Sequence, residues 1–157
     1  MNSKVKSASA LRRIFGLPKK RRKKIVFTNG CFDILHRGHV EYLARARKLG
    51  DILVVGLNSD RSVRTIKGKG RPINTALDRA AVLSALAAVD YITIFGETTP
   101  AKLISKLRPD VLAKGGDWKV KDIVGSGLVM SYGGRVFSLP FVDGFSTTAL
   151  VRKMAVT

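Results

Sequence analysis

The sequence predicts an α/β fold: a Rossmann-like five-stranded parallel sheet with helices on both faces. Short, continuously apolar runs alternate five times with longer amphipathic stretches. Glycine-rich and polar clusters punctuate the junctions. The 157 residues, 45% of them hydrophobic, suit a single domain with a real core.

The first segment, residues 1–23, reads as a basic N-terminal extension, either a solvated tail or a short helix leading into the first strand. Residues 24–157 form the folded domain. Residues 25–28 are a buried strand, broken by Asn29-Gly30. Val40, Leu43, Ala44 and Ala46 give a helix over 38–49, ended by Gly50. Residues 52–57 form the second strand. The lysine- and glycine-rich stretch 58–74 reads as a mobile basic loop. A helix rich in alanine and leucine follows over 77–89, and then a strand over 91–95. Thr99-Pro100 opens a helix carrying Leu103, Ile104 and Leu107. A short strand, 111–113, ends at Lys114-Gly115-Gly116. Residues 123–132 read as helix, 135–139 as the last strand, and 146–154 as the closing helix with Ser146 as its N-cap.

Composition narrows the function. No apolar run approaches the roughly 18 residues of a membrane span. The single cysteine, Cys31, rules out an internal disulfide and fits a reducing, cytoplasmic setting. The net charge is +18, and residues 1–32 hold ten basic residues and no acid, leaving +8 for the rest. That remainder suits a fold that binds polyanionic small molecules. The basic N-terminus is also compatible with nuclear import, a transit peptide or an anionic membrane surface. Nucleic acid is expected to bind only non-specifically, through residues 1–24, because neither zinc-ligand spacing nor an aromatic-rich strand pattern accompanies the charge.

In parallel sheets of this kind, ligands bind beyond the strand C-termini, where the strand order reverses. The polar segments 29–39, 58–60, 114–117 and 144–148 fall there. The first contains both histidines of the chain, His36 and His39, at a strand–helix junction. Gly30 and Gly38 permit close backbone approach, and the helix beginning near Gly38 offers unpaired N–H groups to an anion. Two imidazoles three residues apart can both donate to phosphate oxygens. The pair also fits a metal site, for which Asp33 would have to complete the ligands, or a helix cap. The flanking glycines and the strand–turn–helix setting favour phosphate.

His36-Arg37-Gly38-His39 resembles the HxGH signature of the nucleotidyltransferase superfamily that includes cytidylyltransferases. Gly144-Phe145-Ser146-Thr147-Thr148 resembles the same superfamily's Ser/Thr motif at a helix N-terminus. The segments TNGCFDILHRGHVEYL, ARKLGD, GLNSD, KGKGRPIN, KGGDW and LPFVDGFSTTAL are similar to bacterial D-glycero-β-D-manno-heptose 1-phosphate adenylyltransferases. In many bacteria that activity is the C-terminal half of a bifunctional kinase–adenylyltransferase; no kinase segment is present here, so a stand-alone version is expected.

The resemblance implies that AMP passes from ATP to a sugar 1-phosphate, with pyrophosphate released, as in ADP-heptose and lipopolysaccharide core synthesis. It implies that His36 and His39 stabilise charge on the phosphates and that Lys67 closes over them. By the same resemblance Asn29, Gly30, Cys31, Phe32 and Gly38 line the nucleotide. Lys114, Gly115, Gly116 and Asp117 match the loop near base and ribose, and Ser146, Thr147 and Thr148 the phosphate-contacting cap. Asp33, Arg47, Asn58, Asp60 and Arg79 fall on the acceptor side. Trp118 reads as cover for the core rather than a flank for the base. Mg²⁺ is expected with ATP, held by phosphates and water, with no metal-binding residues of the chain. A homodimer or higher assembly is also implied.

Two departures bear on specificity. Related glycerol-3-phosphate cytidylyltransferases carry Arg-Thr-Glu-Gly where this chain has Phe141-Val142-Asp143-Gly144. The arginine used for cytosine is thus absent, which favours ATP over CTP. Arg37 replaces a small residue, and Ser126-Gly127-Leu128 lacks the usual acid. The competing activities on the same scaffold are a cytidylyltransferase for a phosphorylated alcohol and an FMN adenylyltransferase. A nucleic-acid-binding protein acting through the basic N-terminus and a catalytically silent binding module are the alternatives of a different class.

Overall fold

A computed structural model describes residues 3–156. Five strands, β1 (Ile25–Gly30), β2 (Ile52–Asn58), β3 (Tyr91–Phe95), β4 (Val111–Gly115) and β5 (Arg135–Leu139), form one sheet in the order β3-β2-β1-β4-β5. Every pairing is parallel, with Ile25 opposite Ile52 and Val111 opposite Arg135. The chain moves outward from β1 through β2 to β3, then crosses back to β4 beside β1. That reversal opens a crevice at the C-terminal ends of β1 and β4.

Strand periodicity sends alternate residues to opposite faces. On one face Val26, Leu53, Val55 and Leu57 pack with Leu43 and Ala46 of α2 (Arg37–Arg47) and Leu83 of α4 (Ala76–Ser84). On the other, Ile25, Phe27, Val54 and Leu112 pack with α1 (Ala8–Phe15), α5 (Ala101–Leu107) and α6 (Ser126–Ser131). This two-sided burial is why the strands read as continuous apolar runs.

Three acids fix the starting edge of the sheet. Asp51, Asp90 and Asp110 each precede a strand, and each accepts the N–H of a neighbouring strand's edge: Lys24 at 2.7 Å, Leu53 at 2.8 Å and Ile25 at 2.8 Å.

The structure departs from the sequence reading in four places. Residues 58–74 are not wholly a loop, because α3 (Asp60–Lys67) occupies their first half. Ser59 caps it by accepting from the Ser62 N–H, Asp60 lies in its first turn, and Val63 is buried. The helix expected over 77–89 ends at Ser84, where N–H groups of Ala85 and Leu86 turn to carbonyls three residues back. The helix expected over 123–132 is shortened to α6, preceded by a 3₁₀ turn at Val120–Asp122. The segment before β1 takes the short-helix alternative, but that helix is docked into the core rather than merely leading into the strand. Ser7 caps α1, whose Leu11 and Phe15 enter the core, and Ile92 exchanges backbone hydrogen bonds with Lys4 and Lys6.

Because Leu11 is completely buried, Leu11→Ala is expected to cost about 2–5 kcal/mol of stability. Urea unfolding reads this directly; an unchanged midpoint would mean that α1 contributes nothing to the core.

Candidate active site

The rim of the sheet at the β1–β4 crevice carries a cleft of about 610 Å³. A smaller adjoining cleft of about 270 Å³ runs between the α2 and α7 (Thr147–Ala155) N-termini. Asn29, Gly30, Cys31 and Phe32, from the end of β1, line the larger one, together with Lys114 and Gly115 from the end of β4. His39, Lys67, Thr147 and Thr148 face both. His36, Gly38 and Ser146 face the smaller.

His36 is the N-cap residue of α2 and His39 lies in its first turn. Their rings stack with centroids 3.8 Å apart at 23°. Phe32 meets His39 edge-on at 5.2 Å, and Phe145 stacks on His36 at 6.3 Å. Neither histidine's Nδ1 has a hydrogen-bond partner among the described residues, and both atoms are buried. Burial, reinforced by neighbouring His36, pulls the His39 imidazole down to about 4; burial also lowers His36. Two stacked imidazoles on the positive end of a helix resist protonation until an anion arrives.

The distant Ser/Thr motif lies beside this pair. Ser146 caps α7 by accepting the Ala149 N–H at 3.0 Å, and the first-turn N–H groups of Thr147 and Thr148 have no intrahelical acceptor. The Thr147 hydroxyl donates to the Ile34 carbonyl at 3.4 Å, tying α7 to the β1–α2 loop. Gly38 makes the meeting possible: a Cβ there would lie 2.9 Å from Phe145 Cβ and 3.0 Å from the His36 ring. Two helix N-termini therefore border one opening, a geometry suited to a polyphosphate.

Cations converge on the same place. Burial raises the Cys31 thiol, while Lys67, Arg79 and Lys114 pull it the other way. The Lys114 ammonium is lowered by burial, with Cys31 opposing and Lys67 adding to the shift. The Tyr42 hydroxyl, beneath the cleft, pairs with Thr28 and is pushed up to about 12 by burial.

Of the acceptor-side residues expected from sequence, Asp33 and Asn58 line the cleft, whereas Arg47, Asp60 and Arg79 do not. Arg47 ends α2 at the far edge of the sheet, where it pairs with Asp90 at 2.9 Å and donates to the Gly50 carbonyl. It is outside the cleft because α2 runs away from the rim. Arg79 is 2% exposed, and its guanidinium is spent on protein acceptors, including Asp60 at 2.8 Å. Neither Arg79 nor Asp60 lines the cleft. Asp33 does reach it, but its carboxylate accepts the N–H groups of Ile73 and Asn74 and the Arg71 guanidinium at 3.0 Å. Asn58 lines the cleft while donating to Ser62 Oγ at 2.8 Å. Asp117 is exposed and lines neither cleft. Trp118 does not cover the core. It is half-exposed, donates from Nε1 to the Gly115 carbonyl and sits 5.8 Å from the Lys114 ammonium.

Sequence reasoning missed Arg71, Thr98 and Thr99 as cleft residues, while Phe141, read there as the position of the absent arginine, also lines the cleft. Arg71 carried a signal, since it follows the Lys-Gly-Lys-Gly run; the threonines of the β3–α5 turn carried none. Among the described residues no cluster of three or more His, Cys, Asp or Glu could hold a metal. The nearby acids Asp33 and Asp60 are taken by Arg71 and Arg79.

Two outcomes follow from these charges. Burial raises the Asp33 carboxyl, but the hydrogen bonds from Asn74, Ile73 and Arg71 outweigh it and the net shift is downward. Its stabilisation is thus present above the ordinary carboxylate range and lost as pH falls through its lowered value. Asp33→Asn should cost about 1.5–3 kcal/mol at neutral pH and flatten the acid limb of the stability curve. His39 acts with a different window: the unfolded chain takes up a proton near 6.5 that the folded chain refuses until about 4. Stability should fall as pH drops across that interval, and His39→Phe should remove this component in pH-dependent urea melts.

A cytidylyltransferase-like family profile matches residues 27–152. The bifunctional protein HldE of Campylobacter curvus is 57% identical over 96% of this chain, and that of Syntrophotalea carbinolica 50% identical over 98%. In both cases the chain spans 31% of the relative's length. The crystal structure of a lipopolysaccharide core biosynthesis protein from Thermoplasma volcanium superposes with a TM-score of 0.61 at 32% identity, covering 76% of this chain and 97% of that one. A pantothenate synthetase from Thermus thermophilus shares the fold, with a TM-score of 0.68 at 18% identity over 97% of this chain and 70% of that one. The chain belongs to the cytidylyltransferase-like family.

Proposed function

We propose that the protein is an adenylyltransferase that moves AMP from ATP to a sugar 1-phosphate, D-glycero-β-D-manno-heptose 1-phosphate in particular, releasing pyrophosphate. The observation that carries this reading is the stacked His36–His39 pair at one helix N-terminus beside the Thr147–Thr148 N-terminus of another. The relatives named HldE and the lipopolysaccharide core biosynthesis protein support the sugar assignment. Phe141, where related cytidylyltransferases carry arginine, supports ATP over CTP; its ring lies against the Gly115–Gly116 turn.

The reaction needs no nucleophile from the protein. An oxygen of the acceptor phosphate attacks the α-phosphorus in line, and the bond to the bridging oxygen of pyrophosphate breaks. His36 and His39 donate to phosphate oxygens, and their lowered proton affinity rises as the polyanion binds. The N–H groups opening α2 and α7 take further phosphate charge. Lys67, at the exposed end of α3, closes from the opposite wall, and Lys114 faces the nucleotide from β4. Binding and orientation supply most of the acceleration. Mg²⁺ arrives with ATP as part of the substrate. The acceptor occupies the side of the cleft bordered by Arg71, Thr98 and Thr99, in place of the Arg47 and Arg79 expected from sequence. ATP as donor and a lone free thiol fit a cytoplasmic enzyme, and self-association into a dimer is compatible with this site.

The test is pyrophosphate release, with ATP, CTP and GTP each paired against heptose 1-phosphate, glycerol 3-phosphate and FMN. Turnover is expected with ATP and the sugar 1-phosphate. Preference for CTP, or silence of the folded protein with every pair, would refute the proposal. His36→Ala and His39→Ala should each lower kcat by about 10²–10³.

A further inference from the structure

Arg79 is the largest fully buried side chain among the described residues. Its Nη1 donates to the Cys31 carbonyl at 2.6 Å and to the Asn58 carbonyl at 2.9 Å. Its Nε donates to the Asn74 carbonyl at 3.0 Å, and its Nη2 to the Asp60 carboxylate at 2.8 Å. The four acceptors sit on the turn after β1, the end of β2, the lead into α4 and the first turn of α3. One planar fork thus joins the end of β2, the start of α3 and the lead into α4 to the turn that lines the nucleotide side. The residue after Cys31, Phe32, has φ 46, a left-handed backbone that a bulky side chain adopts only when its surroundings hold it there.

We infer that Arg79 is a positioning residue: by gripping the Cys31 carbonyl it sets the Asn29–Phe32 turn against α3, and so fixes the distance between the nucleotide wall and Lys67. This rests on the adenylyltransferase reading in one respect, that the turn faces the nucleotide. A lysine would keep the charge but lose the fork, since its three donors radiate from one atom.

The molecule contains its own control. Arg21 is comparable in side-chain burial, 3% exposed against 0% for Arg79, and it donates to the Leu107, Arg108 and Gly16 carbonyls and to Asp110. It lies at the start of the sheet, away from the cleft. Arg79→Lys and Arg21→Lys should both lower the melting temperature. The two should diverge in two further readouts: kcat and KM for pyrophosphate release, and the rate at which Cys31, the sole cysteine, reacts with a thiol reagent.

Arg79→Lys is expected to lower kcat about tenfold or more, because small misplacements of reacting groups are costly, and to speed Cys31 labelling. Arg21→Lys should change neither. Asp60→Asn, which weakens one arm of the fork, should shift both readouts in the same direction by less, and serves if Arg79→Lys does not fold. Equal behaviour of the two lysine variants would overturn the inference. So would lost turnover with unchanged Cys31 labelling, which would mean that the guanidinium acts on substrate directly, or faster labelling at full turnover. If the wild type itself shows no turnover, the functional proposal fails, and the labelling rates alone decide whether Arg79 holds the turn.

Discussion

Placing β2 and β4 on opposite sides of β1 is the constraint from which the rest of the rim follows. Connections leaving β1 and β4 then turn to opposite sides, so the β1–α2 loop faces open space rather than a packed neighbour. Into that space the fold aims the starts of α2 and α7. Residues more than a hundred positions apart in sequence become neighbours, as the Thr147–Ile34 hydrogen bond shows. The small residue Gly38 lets the two backbones approach, and Phe145 seals the contact against His36.

Charge is sorted along the strands by the same architecture. Asp51, Asp90 and Asp110 stand at the starting edge and satisfy backbone donors there. Lys67, Lys114 and Arg71 stand at the finishing edge, around the cleft. The acids near the cleft are neutralised by arginines: Asp33 by Arg71 and Asp60 by Arg79. What remains for a ligand is cations, neutral imidazoles and helix N-termini, an environment for a polyanion. Arg47 shows why a basic residue inside a matching motif need not serve a phosphate: it sits at the wrong end of its helix and pairs with Asp90.

Much of this was legible in the sequence, for identifiable reasons. Strands β3 and β5 were readable to the residue because each is a short apolar run bounded by turn residues. The Ser146 cap was readable because capping is local. Helix α3 was not, since it buries only Ser62 and Val63 and its two arginines and lysine resemble a loop. The docking of α1 was hidden because the charge around Leu11 and Phe15 outweighs their apolar spacing in the sequence. The roles of Arg79 and Asp33 depend on partners up to 48 residues away in sequence, and no local pattern announces such contacts.

The central claim is that one polyphosphate meets both helix N-termini at once. The most direct measurement is an NMR titration with a non-hydrolysable ATP analogue, following the His36 and His39 imidazole signals together with the Thr147 and Thr148 amides. The account predicts that all four respond along a single saturation curve, with the imidazoles shifting toward their protonated form. Saturation at the histidines while the threonine amides stay silent, or response confined to the basic residues before β1, would contradict it.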